Sequence, residues 1–251
     1  MATSAGMNTE AAWGPLRVSA VATAARGMPF ANPVDIPATL TDTFMYQAPG
    51  AFGIEDAVLN VVRNDIQQTF FVAHEAGTQY PYVRFIRGTA GGYCNLLQEV
   101  ALGDVPDRQE VGALRSNDYT LLAGDARMHV SGGMLFDHTI AHAAGVSAPV
   151  TSTPIQIGAV SATQSVIVYF GNLHSPAPTW SGAAMQLESD PIEGFTTATL
   201  RGSAVTGLGS TASYSLQTIS GAITDTWWRL NITTVPSGLG WPVCCMWIID
   251  N

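Results

Sequence analysis

Three apolar-rich runs, separated by Gly, Pro and Ser, make up the last forty residues of the chain. They cover residues 212–219, 223–235 and 241–249, and aromatic and β-branched side chains dominate them. Thr, Val and Ile favour the pleated strand, and the middle run has no continuous helical stripe. The chain is therefore predicted to end inside a β-sheet.

Four runs of the same character precede these three, at residues 155–160, 165–170, 183–187 and 196–200. Seven short runs with turn residues between them are typical of a β-sandwich or jelly roll. Nearer the N-terminus, further strands are predicted at 69–73, 82–87, 119–122 and 127–130, and residues 143–154 read as a linker or a crossing between sheets.

One segment, residues 54–67, predicts a helix. Its apolar residues Ile54, Val58, Val61, Val62 and Ile66 fall at helical spacing, and two acidic residues occupy the first turn, where the helix dipole favours them. Residues 93–102 predict a short second helix. The predicted fold class is therefore mainly β, a jelly roll or β-sandwich with one or two short helices.

The first fifty residues predict an extended Pro-rich arm. Prolines at positions 15, 29, 33, 37 and 49 disfavour long helices and interrupt sheet ladders, yet the segment carries apolar residues that need burial. Such an arm lies across a neighbouring subunit or across its own body; an ordinary run of edge strands is the alternative. The predicted organisation is an arm at 1–50, a β-rich region at 51–150 and a β-sandwich at 151–251, which forms its own core or shares one with 51–150.

Charge is scarce along the whole chain. Charged residues make up 12% of the 251 positions, against 47% hydrophobic residues, and all ten basic residues are Arg. Soluble monomers normally cover themselves with Lys and Glu, whereas assembly interfaces are depleted in both. A GC-rich genome explains the missing Lys but not the low total charge. A surface covered by neighbours is therefore favoured over an exposed surface that is unusually rich in Thr, Ser and Asn.

The net charge of −9 disfavours direct binding to a nucleic-acid backbone, which requires clustered cations. The N-terminus lacks the basic and apolar regions of a signal peptide, and no apolar stretch approaches the length of a membrane span. The three cysteines, Cys94, Cys244 and Cys245, are expected to be buried free thiols. A bridge from Cys94 to either of the others stays open as an alternative.

Candidate chemistry is sparse. His138 and His142, with Asp137, form one metal-like grouping, but ordinary surface or interface histidines are the favoured interpretation. The neighbouring carboxylates Glu55 and Asp56 suit a helix start, and Glu188 with Asp190 suits a turn, better than acid–base catalysis. No nucleophile or phosphate-loop motif occurs. We expect no enzyme activity and no cofactor.

Aromatic residues are the main candidates for contacts with a partner, because aromatic rings bury large areas and anchor interfaces. Trp227 and Trp228 are adjacent in a predicted strand and must point to opposite faces. Subunit contact is favoured for the outward ring, over local packing or carbohydrate stacking. The interface candidates are Trp13, Phe30, Phe44, Trp180, Trp227, Trp228, Trp241 and Trp247.

The stretch SYSLQ at 213–217, followed by ITDTWWRLNIT at 223–233, resembles the closing strands of carbohydrate-binding-like jelly rolls in tailed-phage fibres and head proteins. The low charge and the Ala/Thr/Ser/Gly-rich composition also resemble viral capsid jelly rolls and capsid-decorating proteins. The resemblance lies mainly in residues 213–249 and assigns no ligand residues.

The resemblance implies a virion structural protein, a capsid shell or capsid-decorating component that assembles with itself and with other virion proteins in the host cytoplasm. The alternative is a receptor- or glycan-binding module of a phage fibre, with carbohydrate as its partner. A β-sandwich hydrolase ranks last.

Overall fold

The computed structural model describes residues 9–17, 22–26, 57–62, 79–86, 93–103, 116–122, 128–137, 140–142, 150–173, 182–208, 213–235, 238–240 and 242–251. These residues form strands and turns and contain no helix. None of them belongs to a helix of the length and apolarity that crossing a membrane requires.

The strands of the N-terminal half are β1 (Thr9–Trp13), β2 (Leu16–Arg17), β3 (Ala22–Arg26), β4 (Ala57–Val62), β5 (Gln79–Ile86), β6 (Tyr93–Leu102), β7 (Ser116–Leu122), β8 (Met128–Asp137) and β9 (Ile140–His142). Those of the C-terminal half are β10 (Val150–Thr151), β11 (Ile155–Gln156), β12 (Gln164–Asn172), β13 (Ala183–Asp190), β14 (Thr199–Leu208), β15 (Ser213–Ser220), β16 (Trp227–Thr234), β17 (Gly238–Gly240) and β18 (Pro242–Asp250).

The chain forms two compact units. Unit 1 contains residues 1–20, 81–97 and 129–251, and unit 2 contains residues 21–80 and 98–128. Each unit is therefore discontinuous in sequence. The division at residues 50 and 150 stays a prediction.

Unit 1 contains two main antiparallel sheets. The large sheet has the strand order β15-β12-β18-β8-β6-β5-β1-β2. In the small sheet the order is β10-β16-β13-β14, and β11 pairs with β16 beyond the end of β10. Strands β9 and β17 form a separate two-stranded pair.

The two sheets of unit 1 face each other across one apolar core. The small sheet contributes alternate residues of β16, Trp228, Leu230 and Ile232, which are fully buried. The large sheet contributes residues such as Val168 and Met246 from its central strands. Two facing sheets with period-2 burial constitute a β-sandwich, so the predicted fold class is confirmed.

A second core lies on the other face of the large sheet. Tyr169 and Trp247 are central to it, and residues of β5 and β6 pack with them. The Tyr169 hydroxyl donates a 2.8 Å hydrogen bond to the carbonyl of Gly14, although β12 and β1 are five positions apart in the sheet order. The large sheet therefore curls back on itself, which buries β12 and β18 on both faces.

Close packing of the central aromatic residues requires glycine next to them, on the neighbouring strand for Trp247 and on the same strand for Tyr169. A Cβ at Gly132 on β8 would collide with the Trp247 indole, and a Cβ at Gly171 would lie 2.7 Å from the Tyr169 hydroxyl. The Trp247 indole N–H donates to the carbonyl of Cys94 at 3.0 Å, so the buried ring keeps a partner for its polar atom.

In unit 2, β3, β4 and β7 form an antiparallel array, and the end of β6 pairs with β7 at Ala101 and Leu102. The predicted helix at 54–67 is wrong over its described part, because residues 57–62 are strand β4. Three of those six residues are β-branched valines, and β4 has a partner strand along each edge.

The second predicted helix, at 93–102, is also wrong, since these residues form strand β6. The strands predicted at 82–87, 119–122 and 127–130, and five of the seven in the C-terminal hundred residues, are confirmed with changed ends. The runs at 155–160 and 196–200 are strand only at 155–156 and 199–200, because residues 157–159 have irregular backbone and a turn occupies residues 196–197. The strand at 69–73 lies outside the described residues. Cys94, Cys244 and Cys245 are buried thiols that form no disulfide, as expected.

The predicted N-terminal arm is described only at residues 9–17 and 22–26. There it is strand: β1 pairs with β5 along its whole length, from Thr9 opposite Ile86 to Trp13 opposite Tyr82. This part of the arm lies on the chain's own body. An arm across a neighbouring subunit stays a prediction for the rest.

Candidate interaction surface

The outer face of the small sheet, which points away from the sandwich core, carries a polar and aromatic row. On β16 this face presents Trp227, Arg229 and Asn231, which alternate with the buried core residues. Glu188 of β13 lies opposite Arg229 on one side and opposite Leu200 of β14 on the other. One charged pair is thus flanked by a tryptophan and a leucine.

Two exposed apolar side chains mark one end of this face. Ile192 is 51% exposed and Leu200 is 56% exposed, and they are the exposed large hydrophobic residues of the described part of the chain. Ile192 belongs to the turn that joins β13 to β14, and Leu200 is the second residue of β14. We call this turn, residues 191–198, together with Leu200 the β13–β14 corner.

Asp190 fixes the turn of the corner. Its Oδ1 accepts the Ile192 amide at 2.9 Å, and its Oδ2 accepts the Thr197 amide at 2.8 Å and the Thr197 hydroxyl at 3.2 Å. Burial of the carboxyl raises its pKa, but these bonds and the charge of Arg229 outweigh that effect and lower the pKa below the ordinary 3.8. The carboxylate is therefore ionised and bonded at neutral pH.

Phe195 anchors the middle of the same turn. Its φ of 46° is in the left-handed region, which non-glycine residues rarely adopt, and its side chain is buried. The Arg229 guanidinium lies 4.2 Å from the centre of the Phe195 ring, a cation–π geometry. Arg229 Nε donates to Glu188 Oε2 at 2.7 Å, and Asn231 Nδ2 donates to Glu188 Oε1 at 2.6 Å.

A second ion pair fixes the other side of the corner. Arg201 donates to Asp225 Oδ2 at 2.8 Å through Nη2 and to Ser189 Oγ at 2.7 Å through Nε. The Ser189 hydroxyl donates to the same Asp225 oxygen at 2.7 Å. The corner is thus held by two separate charged groups, so it presents Ile192 and Leu200 from a preorganised backbone.

The predicted interface residues have different environments. Trp13, Trp228 and Trp247 are at most 1% exposed and pack inside unit 1, so they do not reach the surface of the folded chain. Trp227 is partly exposed on the outer face, so the two adjacent tryptophans do point to opposite faces as predicted. Phe30, Phe44, Trp180 and Trp241 lie outside the described residues.

The candidate carboxylates and histidines either make hydrogen bonds within the fold or lie where their side chains are not described. Both carboxylates of the pair Glu188 and Asp190 are engaged in hydrogen bonds within the small sheet. Glu55, Asp56 and His138 lie outside the described residues. Asp137 and His142 end strands whose backbone alone is described there, so a metal site at these residues stays a low-ranking prediction.

Sequence reasoning missed the corner residues. Ile192 and Leu200 look like ordinary strand and turn residues, and nothing local marks them as exposed. The signal that was present is the alternation in the run Thr199-Leu200-Arg201, where a single leucine stands between polar residues. Such alternation indicates two faces but not which of them is covered.

No protein-family model matches this chain, and no curated protein sequence matches it. Solved structures to which it is similar include the Dit protein of phage SPP1, described as a paradigm of the hub adsorption apparatus in phages that infect Gram-positive bacteria. That likeness covers 96% of this chain and 99% of the Dit chain, with 11% identity and a TM-score of 0.29.

The structure of infectious bursal disease virus, Gx strain, is similar over 96% of this chain and 68% of the viral chain, with 11% identity and a TM-score of 0.28. T=1 particles derived from infectious bursal virus give 12% identity, coverage of 97% and 68%, and a TM-score of 0.24. All three come from a phage or a virus. At TM-scores this low, the likeness carries no argument about this chain.

Proposed function

We propose that this protein is a structural component of a virion, a capsid shell or capsid-surface subunit, that acts by docking to neighbouring subunits without catalysing a reaction. The class of protein is taken from the resemblance of residues 213–249 and from the composition. The β13–β14 corner, where apolar side chains are exposed on a rigid turn, carries the proposed mechanism.

Burial of the corner is favourable for two reasons. Covering exposed apolar surface contributes about 25 cal/mol per Å². The turn is already fixed by Asp190 and by the stack of Arg229 on Phe195, so little conformational entropy is lost when a neighbour contacts it. The corner therefore meets the two requirements of an interface anchor, apolar area and preorganisation.

The charge of the chain makes the position of such a contact important. Copies with a net charge of −9 repel one another, so they must meet where acidic side chains are few. Residues 191–208 contain one acidic residue, Glu193, and one basic residue, Arg201, which is bonded to Asp225. The corner and β14 are thus suited to contact between like copies.

Light scattering coupled to size exclusion tests this function. We expect the wild-type protein to have a mass above 26.4 kDa at micromolar concentration, and the double substitution Ile192→Glu, Leu200→Glu to reduce it. Thr218→Glu, at an exposed position of β15, is the matched control and should leave the mass unchanged. A wild-type protein that stays monomeric at all concentrations would overturn the proposal.

A glycan-binding module of a phage fibre is the second candidate, and one observation favours it. Trp227 is partly exposed on the same face as Asn231, whose Oδ1 is a buried acceptor without a hydrogen-bond partner in the structure. A partly exposed aromatic ring on a sheet face that also carries amide and guanidinium groups suits a sugar. Saturable sugar binding by a monodisperse protein, abolished by Trp227→Ala in titration calorimetry, would favour this function over assembly.

A further inference from the structure

β14 is an edge strand of the small sheet. Among the strands that the structure describes, β14 pairs with β13 alone, and seven of its ten residues are exposed. Edge strands are usually protected by charged side chains, proline or β-bulges. The register shifts of β14 lie after Arg201, so Thr199, Leu200 and Arg201 pair regularly with β13. β14 has no proline, and its one charged residue, Arg201, is bonded to Asp225.

A side chain closes this edge at Ser203. The Gln217 carboxamide of β15 accepts the Ser203 amide at 3.1 Å and donates to the Ser203 carbonyl at 2.9 Å. It thereby pairs with Ser203 as the backbone of a neighbouring strand would. Gly202, with a φ of 68°, permits this approach, since a Cβ there would lie 2.7 Å from Gln217 Oε1.

Within the described part of the chain, the main-chain groups of β14 before Ser203 have no such side-chain partner. This part of β14 consists of Thr199, Leu200 and Arg201. On β13 their partners are Ser189, Glu188 and Leu187, respectively. The exposed Leu200 is at the centre of these three residues. A strand that paired here would have to end near Ser203, because Gln217 occupies the outward main-chain groups of that residue.

We propose that β14 of a second copy of this chain pairs antiparallel with β14 about a two-fold axis through Leu200. This inference rests on the proposed function and names the partner of its surface. The two leucines lie opposite each other on the outer face of the small sheet, and Thr199 of each copy lies opposite Arg201 of the other. The ladder ends at both sides where Gln217 closes Ser203, so the small sheets of two copies become one continuous sheet.

Several features of the corner agree with this arrangement. A two-fold contact uses the same patch on both copies, so it must be complementary to itself. Leucine opposite leucine is self-complementary, and no acidic residue lies between Thr199 and Arg201. Arg201 opposite threonine brings no like charges together and keeps its bond to Asp225. The exposed leucine, unexplained in a solitary chain, is covered.

A cysteine at the axis provides a geometric test. Directly opposed residues of an antiparallel pair have Cα atoms about 4.5–5.5 Å apart, which a disulfide spans. We expect full-length Leu200→Cys to form a covalent dimer on mild copper-phenanthroline oxidation, seen on a non-reducing gel. The native thiols are buried, so the wild-type protein should give little background.

Thr206→Cys, an exposed position on the same strand, is the matched control. In this register residue 206 lies opposite residue 194 of the other copy, so Thr206→Cys should not cross-link to itself. A second variant, Leu200→Glu, places two carboxylates at the axis and should weaken self-association by about tenfold or more in sedimentation equilibrium.

The outcomes separate this inference from the proposed function. If the wild-type protein assembles but Leu200→Cys cross-links no faster than Thr206→Cys, the β14 pairing is wrong while assembly stands. If Leu200→Glu assembles as tightly as wild type, the pairing is again overturned. A wild-type protein that is monomeric at all concentrations overturns the proposed function itself.

Discussion

Strands β18 and β14 have similar lengths, nine and ten residues, but contrasting environments. β18 is buried from Pro242 to Trp247, with a strand at each edge and an apolar core on each face. β14 buries only Val205 and Leu208, has two glycines with positive φ, and is the last strand of its sheet. One sandwich thus contains a strand that is enclosed on all sides and an edge strand that is largely exposed, and the proposed contact with a second copy is assigned to the edge strand.

The largest effect should come from the central strand. Replacing Trp247 by Ala removes a fully buried indole between β8 and β6, and we expect a loss of about 3–5 kcal/mol in the free energy of unfolding. Trp227→Ala, on the outer face of the small sheet, should cost clearly less. Urea denaturation of both variants measures the difference in their free energies of unfolding. Equal losses would contradict the claim that the central strand contributes more stability than the outer face.

Removing the side chain that supports the β13–β14 corner should give the next largest loss in the free energy of unfolding. Arg229→Ala leaves the Glu188 carboxylate buried without its cation and removes the stack on Phe195. Because the Arg229 side chain is 20% exposed, solvent screens the pair, and we expect a loss of about 2 kcal/mol. Arg229→Lys keeps the charge but not the planar stack, so its free energy of unfolding should lie between those of the wild type and Arg229→Ala. A full recovery by Lys would show that the ring contact contributes nothing.

Acid should loosen the edge of the small sheet through Asp190. The pKa of this carboxyl is lowered by the turn it caps, so its contribution is present above the ordinary value of 3.8 and is lost as pH falls through the lower folded value. Asp190→Asn should lose that contribution at neutral pH and show a flatter acid denaturation curve. Amide exchange of Ile192 and Thr197 would follow the turn directly, and unchanged exchange in Asp190→Asn would contradict its role.

The smallest effect should come from the contact between β14 and β15. Gly202→Ala places a Cβ at positive φ against Gln217 and Ile219, and we expect a loss of about 1 kcal/mol. Gly194→Ala is the control, since its nearest neighbour would be 4.0 Å away and its φ is not positive. Thermal denaturation distinguishes them. Similar changes in melting temperature in both variants would mean that the contact of Gln217 with β14 does not require glycine at position 202.

Much of the sandwich could be predicted from the sequence because its strands are short, β-branched and separated by turn residues. In the run at 227–235 the alternation even identified opposite faces for Trp227 and Trp228. Which face becomes core depends on the partner sheet, and no local pattern contains that information. For this reason Trp13, Trp228 and Trp247 were interface candidates in the sequence and are core residues in the fold.

The two wrong helices have a related cause. In β4 the spacing of Val58, Val61 and Val62 fits one face of a helix, yet valine also favours a strand, and strands on both sides decide the outcome. In the same way Phe195, Arg229 and Asp190 meet only through the turn between β13 and β14. Contacts between residues far apart in sequence, such as Phe195 and Arg229, cannot be read from spacing.

The adjacent Cys244 and Cys245 give the sandwich an internal reporter. Successive residues of β18 face opposite ways, so one thiol belongs to the core between the sheets and the other to the core on the far side of the large sheet. Burial, and then the nearby Cys94, raises the pKa of the Cys244 thiol, which keeps it unreactive while its layer stays closed. Alkylation followed by mass mapping would therefore record, from two consecutive residues, which layer opens first during unfolding.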